Sequence, residues 1–157
     1  MKASVIFAIA IALPTAAAAA DMAMPMANAT QSDDVKWGPA PPMLPPGAQL
    51  AVMTGSPMAP GFVSIRAKLP AGYTIAPHTH PTDEHVTVIS GTFQVGMGST
   101  FKPDSMLALA TGGFVTAPAG HAHFARAQGP TIVQVHAIGP FALTYVNPSD
   151  LPVAARR

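Results

Sequence analysis

The sequence contains no cysteine. That excludes a disulfide framework as a source of stability and a lipid-modified N-terminal cysteine as a membrane anchor. Charge is scarce as well: Lys, Arg, Asp and Glu make up 10% of the 157 residues, and the formal net charge is +1. Such a chain offers no basic patch for nucleic acid and no polybasic tether for an anionic membrane. Beyond the first twenty residues there is no apolar run long enough to span a bilayer, so no membrane span is expected. An apolar repeat of 3.6 residues is also missing there, whereas 18 prolines and 13 glycines punctuate the chain. Many short strands joined by turns, an all-β class, are the expectation.

The N-terminus reads as an address. Lys2 gives a positive start, Val5 to Leu13 is an apolar run too short to cross a membrane, and Ala16 to Ala20 supplies small residues for cleavage before Asp21. Residues 1–20 are therefore expected to be a signal peptide, and the mature protein to be periplasmic or secreted. No twin-arginine pair is present, which points to export of an unfolded chain that acquires any metal outside the cytoplasm. Cleavage would leave 137 of the 157 residues, the size of one domain, and loss of Lys2 takes the charge from +1 to 0. Residues 21–34, small, polar and dotted with Met22, Met24 and Met26, cannot bury a core and are expected to be a disordered leader. Thioethers at this spacing suit Cu(I), but nothing else constrains them, and a floppy tail is the simpler account.

The folded domain is expected to span 35–157. It opens on a proline-rich arm in which Trp37, the single tryptophan, precedes five prolines between Pro39 and Pro46. An extended polyproline segment crossing to a partner subunit in a homodimer is the expectation here, because open sheet edges otherwise invite uncontrolled pairing. Strand-like runs follow. In residues 62–69, Val63, Ile65, Ala67 and Leu69 alternate with Phe62, Ser64, Arg66 and Lys68, so one face is apolar. Residues 93–97 repeat the pattern with Phe93, Val95 and Met97.

The chemistry concentrates in Gly72 to Gly91, GYTIAPHTHPTDEHVTVISG. Residues two apart on a strand project from the same face, so His78 and His80 can share one small ion. Pro81 ends that strand, and Glu84 opens the next run, EHVTVIS, in position to fold back toward the imidazoles. A firmly held transition ion needs a further ligand. The candidate is His123, in the strand–turn–strand unit GGFVTAPAGHAHFARA.

Together these two units resemble the paired motifs of the cupin superfamily. Gly72, His78, His80, Glu84 and Gly91 fit the first motif at every position; Gly112, Pro118, Gly120 and His123 fit the second, where Ala127 stands in place of a closing Asn. The resemblance implies a double-stranded β-helix, a jelly-roll barrel, with His78, His80, Glu84 and His123 around one divalent transition metal ion: Fe, Mn, Ni, Cu or Zn. His85 is an alternative to Glu84, although the alternation of side chains turns it to the opposite face. His121 shares the parity of His123 and is the alternative there, or lines the pocket. Gln134 and His136, on one face of the late strand TIVQVHAIG, are further candidates to line the pocket, while Phe124 and Arg126 face opposite to His123.

Three imidazoles and one carboxylate leave one or two positions open on a six-coordinate ion, as needed to bind water, dioxygen or a small substrate. The functional expectation is an exported mononuclear metal-binding protein, a small-molecule oxidoreductase of dioxygenase type acting on an enol, catechol or carboxylate, with Glu84 as catalytic base. A non-catalytic binder of metal or small ligand is the alternative from another class. A cupin isomerase or lyase, in which the metal is only a Lewis acid, is a third.

Overall fold

The computed structural model describes residues 29–155, so the expected signal peptide and the leader up to residue 28 lie outside the described residues. Residues 32–34 form one 3-10 turn. Eleven strands follow among the described residues: β1 (Gly38–Pro39), β2 (Gln49–Thr54), β3 (Gly61–Leu69), β4 (Thr74–Thr79), β5 (Glu84–Ser90), β6 (Thr92–Met97), β7 (Leu107–Ala110), β8 (Phe114–Ala117), β9 (His123–Ala127), β10 (Thr131–Gly139) and β11 (Thr144–Tyr145). They form two antiparallel sheets, ordered β1-β2-β3-β10-β5-β8 and β11-β4-β9-β6-β7. Strands alternate between the sheets along much of the chain, which is the double-stranded β-helix. The turns that reverse the chain need particular residues. At the turn where the chain passes from β5 in one sheet to β6 in the other, Gly91 takes a φ of +84°, a region costly for any residue with a Cβ.

Alternation decides what lies between the sheets. Val63, Ile65, Ala67 and Leu69 of β3 are all buried, as are Val86 and Val88 of β5, Phe93 and Val95 of β6, and Val133 and Ala137 of β10. Close packing of these inner faces is the main source of stability in a domain without crosslinks. On the outer side of the five-stranded sheet, Phe124 is fully buried under Phe101, ring centroids 5.1 Å apart. A Cβ at Gly96 would run into the Phe124 ring, so that position requires glycine.

The proline arm departs from the expected straight segment reaching for a partner. The amide of Leu44 bonds to the carbonyl of Pro41 at 2.9 Å, turning the chain within the proline run. Gly38 and Pro39 then pair with Leu50 and Gln49 of β2, covering the edge of their own sheet. Tyr73 Oη donates to the carbonyl of Pro45 at 2.6 Å and Tyr145 Oη to that of Met43 at 2.9 Å, while Lys68 Nζ sits 5.5 Å from the Trp37 ring centre. Residues 49 and 50 of the β2 edge are thus paired by a segment ten to twelve residues upstream.

Candidate metal centre

β4 carries the first ligand, and the chain leaves the five-stranded sheet immediately after it. His78 and His123 are cross-strand partners of β4 and β9, so both project from one face of the same sheet. His80 follows the end of β4, and residues 80–84 form the corner that crosses to β5. The Pro118-Ala119-Gly120 bend holds that corner: Gly120 N donates to the carbonyl of His80 at 2.9 Å, and Ala119 N to Asp83 Oδ1 at 2.7 Å. These two bonds are why the sequence units bearing His80 and His123, forty-three residues apart, meet at one end of the barrel.

His78, His80, Glu84 and His123 each offer a ligand atom within 4.8 Å of the others. Ring centroids are 4.3 Å apart for His78 and His123, 4.9 Å for His78 and His80, and 5.2 Å for His80 and His123. Each imidazole is aimed by its other nitrogen. Nδ1 of His78 bonds the carbonyl of Ala76 at 2.8 Å, Nδ1 of His80 that of Ala142 at 2.7 Å, and Nδ1 of His123 that of His121 at 3.1 Å. A carbonyl only accepts, so each Nδ1 carries a proton and each Nε2 turns toward the shared centre, the arrangement that orients histidine on a metal.

The group fits a metal ion on an observation of its own. His80 Nε2 is buried and has no hydrogen-bond partner; Glu84 Oε2, 3.6 Å away, is itself an acceptor and cannot serve a ring nitrogen whose proton sits on Nδ1. An orphaned buried polar atom costs about 1–3 kcal/mol, and a metal ion at the centre removes that cost. Ligand bonds of about 2.0–2.2 Å let the ligand atoms of one ion lie up to about 4.4 Å apart, so four atoms within 4.8 Å of one another are near enough for a single ion to draw together. Without metal, His123 Nε2 lies 3.2 Å from Glu84 Oε2. Burial alone pushes His123 down, but the hydrogen bond and charge of Glu84 outweigh it and hold the imidazole above its ordinary value. Burial alone would raise Glu84; the His123 bond and the nearby His80 hold it below the usual carboxylate range. Burial, aided by His123, lowers His78 to about 3, and burial lowers His80 as well. In the His123–Glu84 pair the hydrogen bond favours the charged form of both partners, while burial favours the neutral form of His78 and His80 beside it.

The remaining candidates lie elsewhere. His121 is exposed and bonds the carbonyl of Ala119 at 3.1 Å. His85 points to the outer face of the six-stranded sheet, with Nδ1 3.0 Å from Thr116 Oγ1 and its ring over Phe114. Gln134 and His136 do not line the pocket. The inner parity of β10 belongs to Val133 and Ala137, so Gln134 and His136 face outward, where Gln134 accepts from Arg66 Nε at 2.9 Å and His136 lies against Phe62. Other groups at the site were not foreseen. Phe141 stacks on His80 with ring centroids 4.3 Å apart, and Tyr145 pairs with His78 across β11 and β4. Met97 pairs with His123 across β6 and β9, so Tyr145, His78, His123 and Met97 form one row on the inner face. The apolar parity of Phe93, Val95 and Met97 was the signal for the last of these.

Beside Glu84, His78 and His123 is a cavity of about 30 Å³ walled by Ile75, Val86, Phe93, Val95, Val115 and Ala125. A groove of about 700 Å³ between the arm and the C-terminal turns is larger but contains none of the four ligands; Asp150 is its one charged side chain. Size does not outweigh chemistry here, and the small cavity is the candidate site.

Known structures share this architecture. A protein of Methylibium petroleiphilum provisionally described as an acetylacetone dioxygenase is 23% identical and aligns over 80% of this chain and 84% of its own, with a TM-score of 0.61. The polyketide cyclase RemF of Streptomyces resistomycificus is 19% identical over 81% of this chain and 90% of its own, TM-score 0.60. A salicylate 1,2-dioxygenase of Pseudaminobacter salicylatoxidans is 18% identical over 64% of this chain and 28% of its own, TM-score 0.52. At these identities the likeness is one of fold. No curated protein matches the sequence. The family model described as the ChrR cupin-like domain matches residues 26–142, and with most of its length inside that match the chain belongs to this cupin family.

Proposed function

We propose that the chain is an exported, mononuclear metal-dependent oxidoreductase of dioxygenase type acting on a small molecule. The observation that carries this reading is the convergence of three Nε2 atoms, each fixed by a carbonyl on Nδ1 and one of them orphaned, beside a partly buried carboxylate. His78, His80 and His123 would hold a divalent Fe, Mn, Ni, Cu or Zn ion, with Glu84 as fourth ligand. When bound, the ion supplies Lewis acidity and, for the redox-active metals, one-electron chemistry. Glu84 is the base of this proposal: its side chain is 15% exposed against 3–4% for His123 and His80, so among these three it is best placed to take a proton from an incoming molecule.

Two of the three structural relatives carry dioxygenase names, which supports the reaction class as an analogy of fold. The third is a cyclase and supports the isomerase or lyase alternative equally well. A non-catalytic binder is favoured by the near-complete burial of the imidazoles, which are 3–5% exposed. Export is supported by Lys2, the apolar run from Val5 to Leu13 and the small residues Ala16 to Ala20. A homodimer is supported by Phe62, Phe114 and Ile138, each more than half exposed on the outer side of the six-stranded sheet. The deciding experiment is metal analysis of protein purified from its exported pool, followed by oxygen uptake across enols, catechols and keto acids. Stoichiometric metal with uptake supports the oxidoreductase; metal without turnover on any substrate moves the assignment to the binder; no metal refutes both.

A further inference from the structure

The space beside the ligands sets a limit on what can reach them. A cavity of this measure needs about 10–15 Å³ per water molecule, so 30 Å³ takes two or three water-sized groups. Pockets that hold organic ligands are typically about 300–1,000 Å³, an order of magnitude larger.

The walls have little freedom to withdraw. Phe93 and Val95 stand on β6, hydrogen-bonded to β7 on one side and β9 on the other; Val86 stands on β5 between β10 and β8; Ala125 stands on β9 between β4 and β6. Moving any of them outward breaks ladder bonds on both edges. On the His80 flank, residues 141–143 lie outside any strand, but Phe141 is stacked on the imidazole, its amide is tied to the carbonyl of Pro57 at 2.7 Å, and the carbonyl of Ala142 holds His80 Nδ1. The lining apart from the ligands is entirely aliphatic or aromatic, which disfavours a strongly hydrated guest.

We propose that the closed barrel admits at the metal ligands only a molecule or ion of two or three heavy atoms, and that Val115 and Phe93 set this limit. The inference rests on the metal-centre reading above and narrows it. Dioxygen meets the limit, whereas a chelating enol or catechol requires displacement of Phe141 and Ala142 from His80.

The test is ligand binding to the Co(II)-loaded full chain, read from the visible d–d spectrum, with triatomic azide, acetate and the larger bidentate acetylacetone as probes. Azide is expected to perturb the spectrum at concentrations at least tenfold below acetylacetone. Val115→Ala, on the edge strand β8, is expected to tighten acetate by about fivefold, near 1 kcal/mol, with azide unchanged within twofold. Phe93→Ala opens more space; if it fails to fold, Val115→Ala carries the test. Acetylacetone binding to the wild type as tightly as azide, or an unchanged order in Val115→Ala, overturns the proposal. Failure of cobalt to bind refutes the metal-centre reading instead. The size limit is then read from xenon-pressurised crystals of the metal-free protein: one xenon against Val95, Val115 and Ala125 supports it, and none overturns it.

Discussion

Removing one imidazole and neutralising the carboxylate are expected to have different consequences. At a free metal concentration 1,000-fold above Kd, ligand linkage adds about 4 kcal/mol to wild-type stability. For a domain of this size about 4 °C accompanies each kcal/mol, so the melting temperature rises by about 15 °C. His80→Ala removes the imidazole whose buried Nε2 has no hydrogen-bond partner and whose ring is pre-aimed by Ala142 and Phe141. Loss of a partner that only orients a ligand costs about 10- to 100-fold in affinity, and loss of the ligand costs at least the upper figure. The linkage falls by about 2.7 kcal/mol or more, and the shift to about 5 °C or less. Glu84→Gln leaves the three imidazoles and an oxygen that still accepts from His123. A tenfold loss, about 1.4 kcal/mol, keeps a shift near 10 °C, while turnover on any substrate found falls by about 10²- to 10⁴-fold with the base removed. The assay is differential scanning fluorimetry with and without Ni(II) or Zn(II), beside metal content by mass spectrometry and oxygen consumption. Equal shifts in the two variants would refute the division of roles between His80 and Glu84.

Acid should destabilise the metal-free protein. His78 is lowered in the fold from 6.5 to about 3, so between those values the unfolded chain binds the extra proton and stability falls with pH; His80 acts in the same direction. Glu84, lowered in the fold, adds a contribution present above its unfolded value and lost as pH falls through its folded one, while His123, raised, offsets part of the loss because its contribution is fully present below 6.5. Urea midpoints at pH 7, 5.5 and 4.5 should decline in that order; a flat or rising series contradicts the burial argument. Gly96→Ala should destabilise by about 1–3 kcal/mol, because its Cβ meets the buried Phe124 ring, and an unchanged melting temperature would show that the ring yields freely. Sedimentation at micromolar concentration should give a dimer that Phe62→Asp with Phe114→Asp converts to monomer; a wild-type monomer removes the dimer proposal.

Local rules made β3, β5 and the ligand-bearing segment legible. Alternation in residues 62–69 and 84–90 needs no knowledge of the partners, since a slip by one residue would expose a whole row of Val, Ile and Leu. The convergence of His78, His80, Glu84 and His123 was legible for a related reason: strand parity joins His78 to His80, and glycines at 72, 91, 112 and 120, all with positive φ, mark the turns that bring the two units together. Parity also carried the answer for Gln134 and His136. In TIVQVHAIG the apolar set Val133, Val135 and Ala137 needs the core more than an amide and an imidazole do, so the inward row is the aliphatic one. What no local rule reaches is contact made at long range by segments without a repeat. Ala142 meets His80 across sixty-two residues and Tyr145 meets Met43 across more than a hundred, and neither FALTYV nor PPMLPPG has a periodicity that names its partner. Those segments cover the His80 side of the site and tie the arm to the C-terminal strand within the chain. The chemistry of the centre is therefore encoded in short motifs, whereas access to it depends on where the chain's last strand happens to be tied down, and variants in residues 140–146 should alter what reaches the centre before they alter what the centre binds as metal.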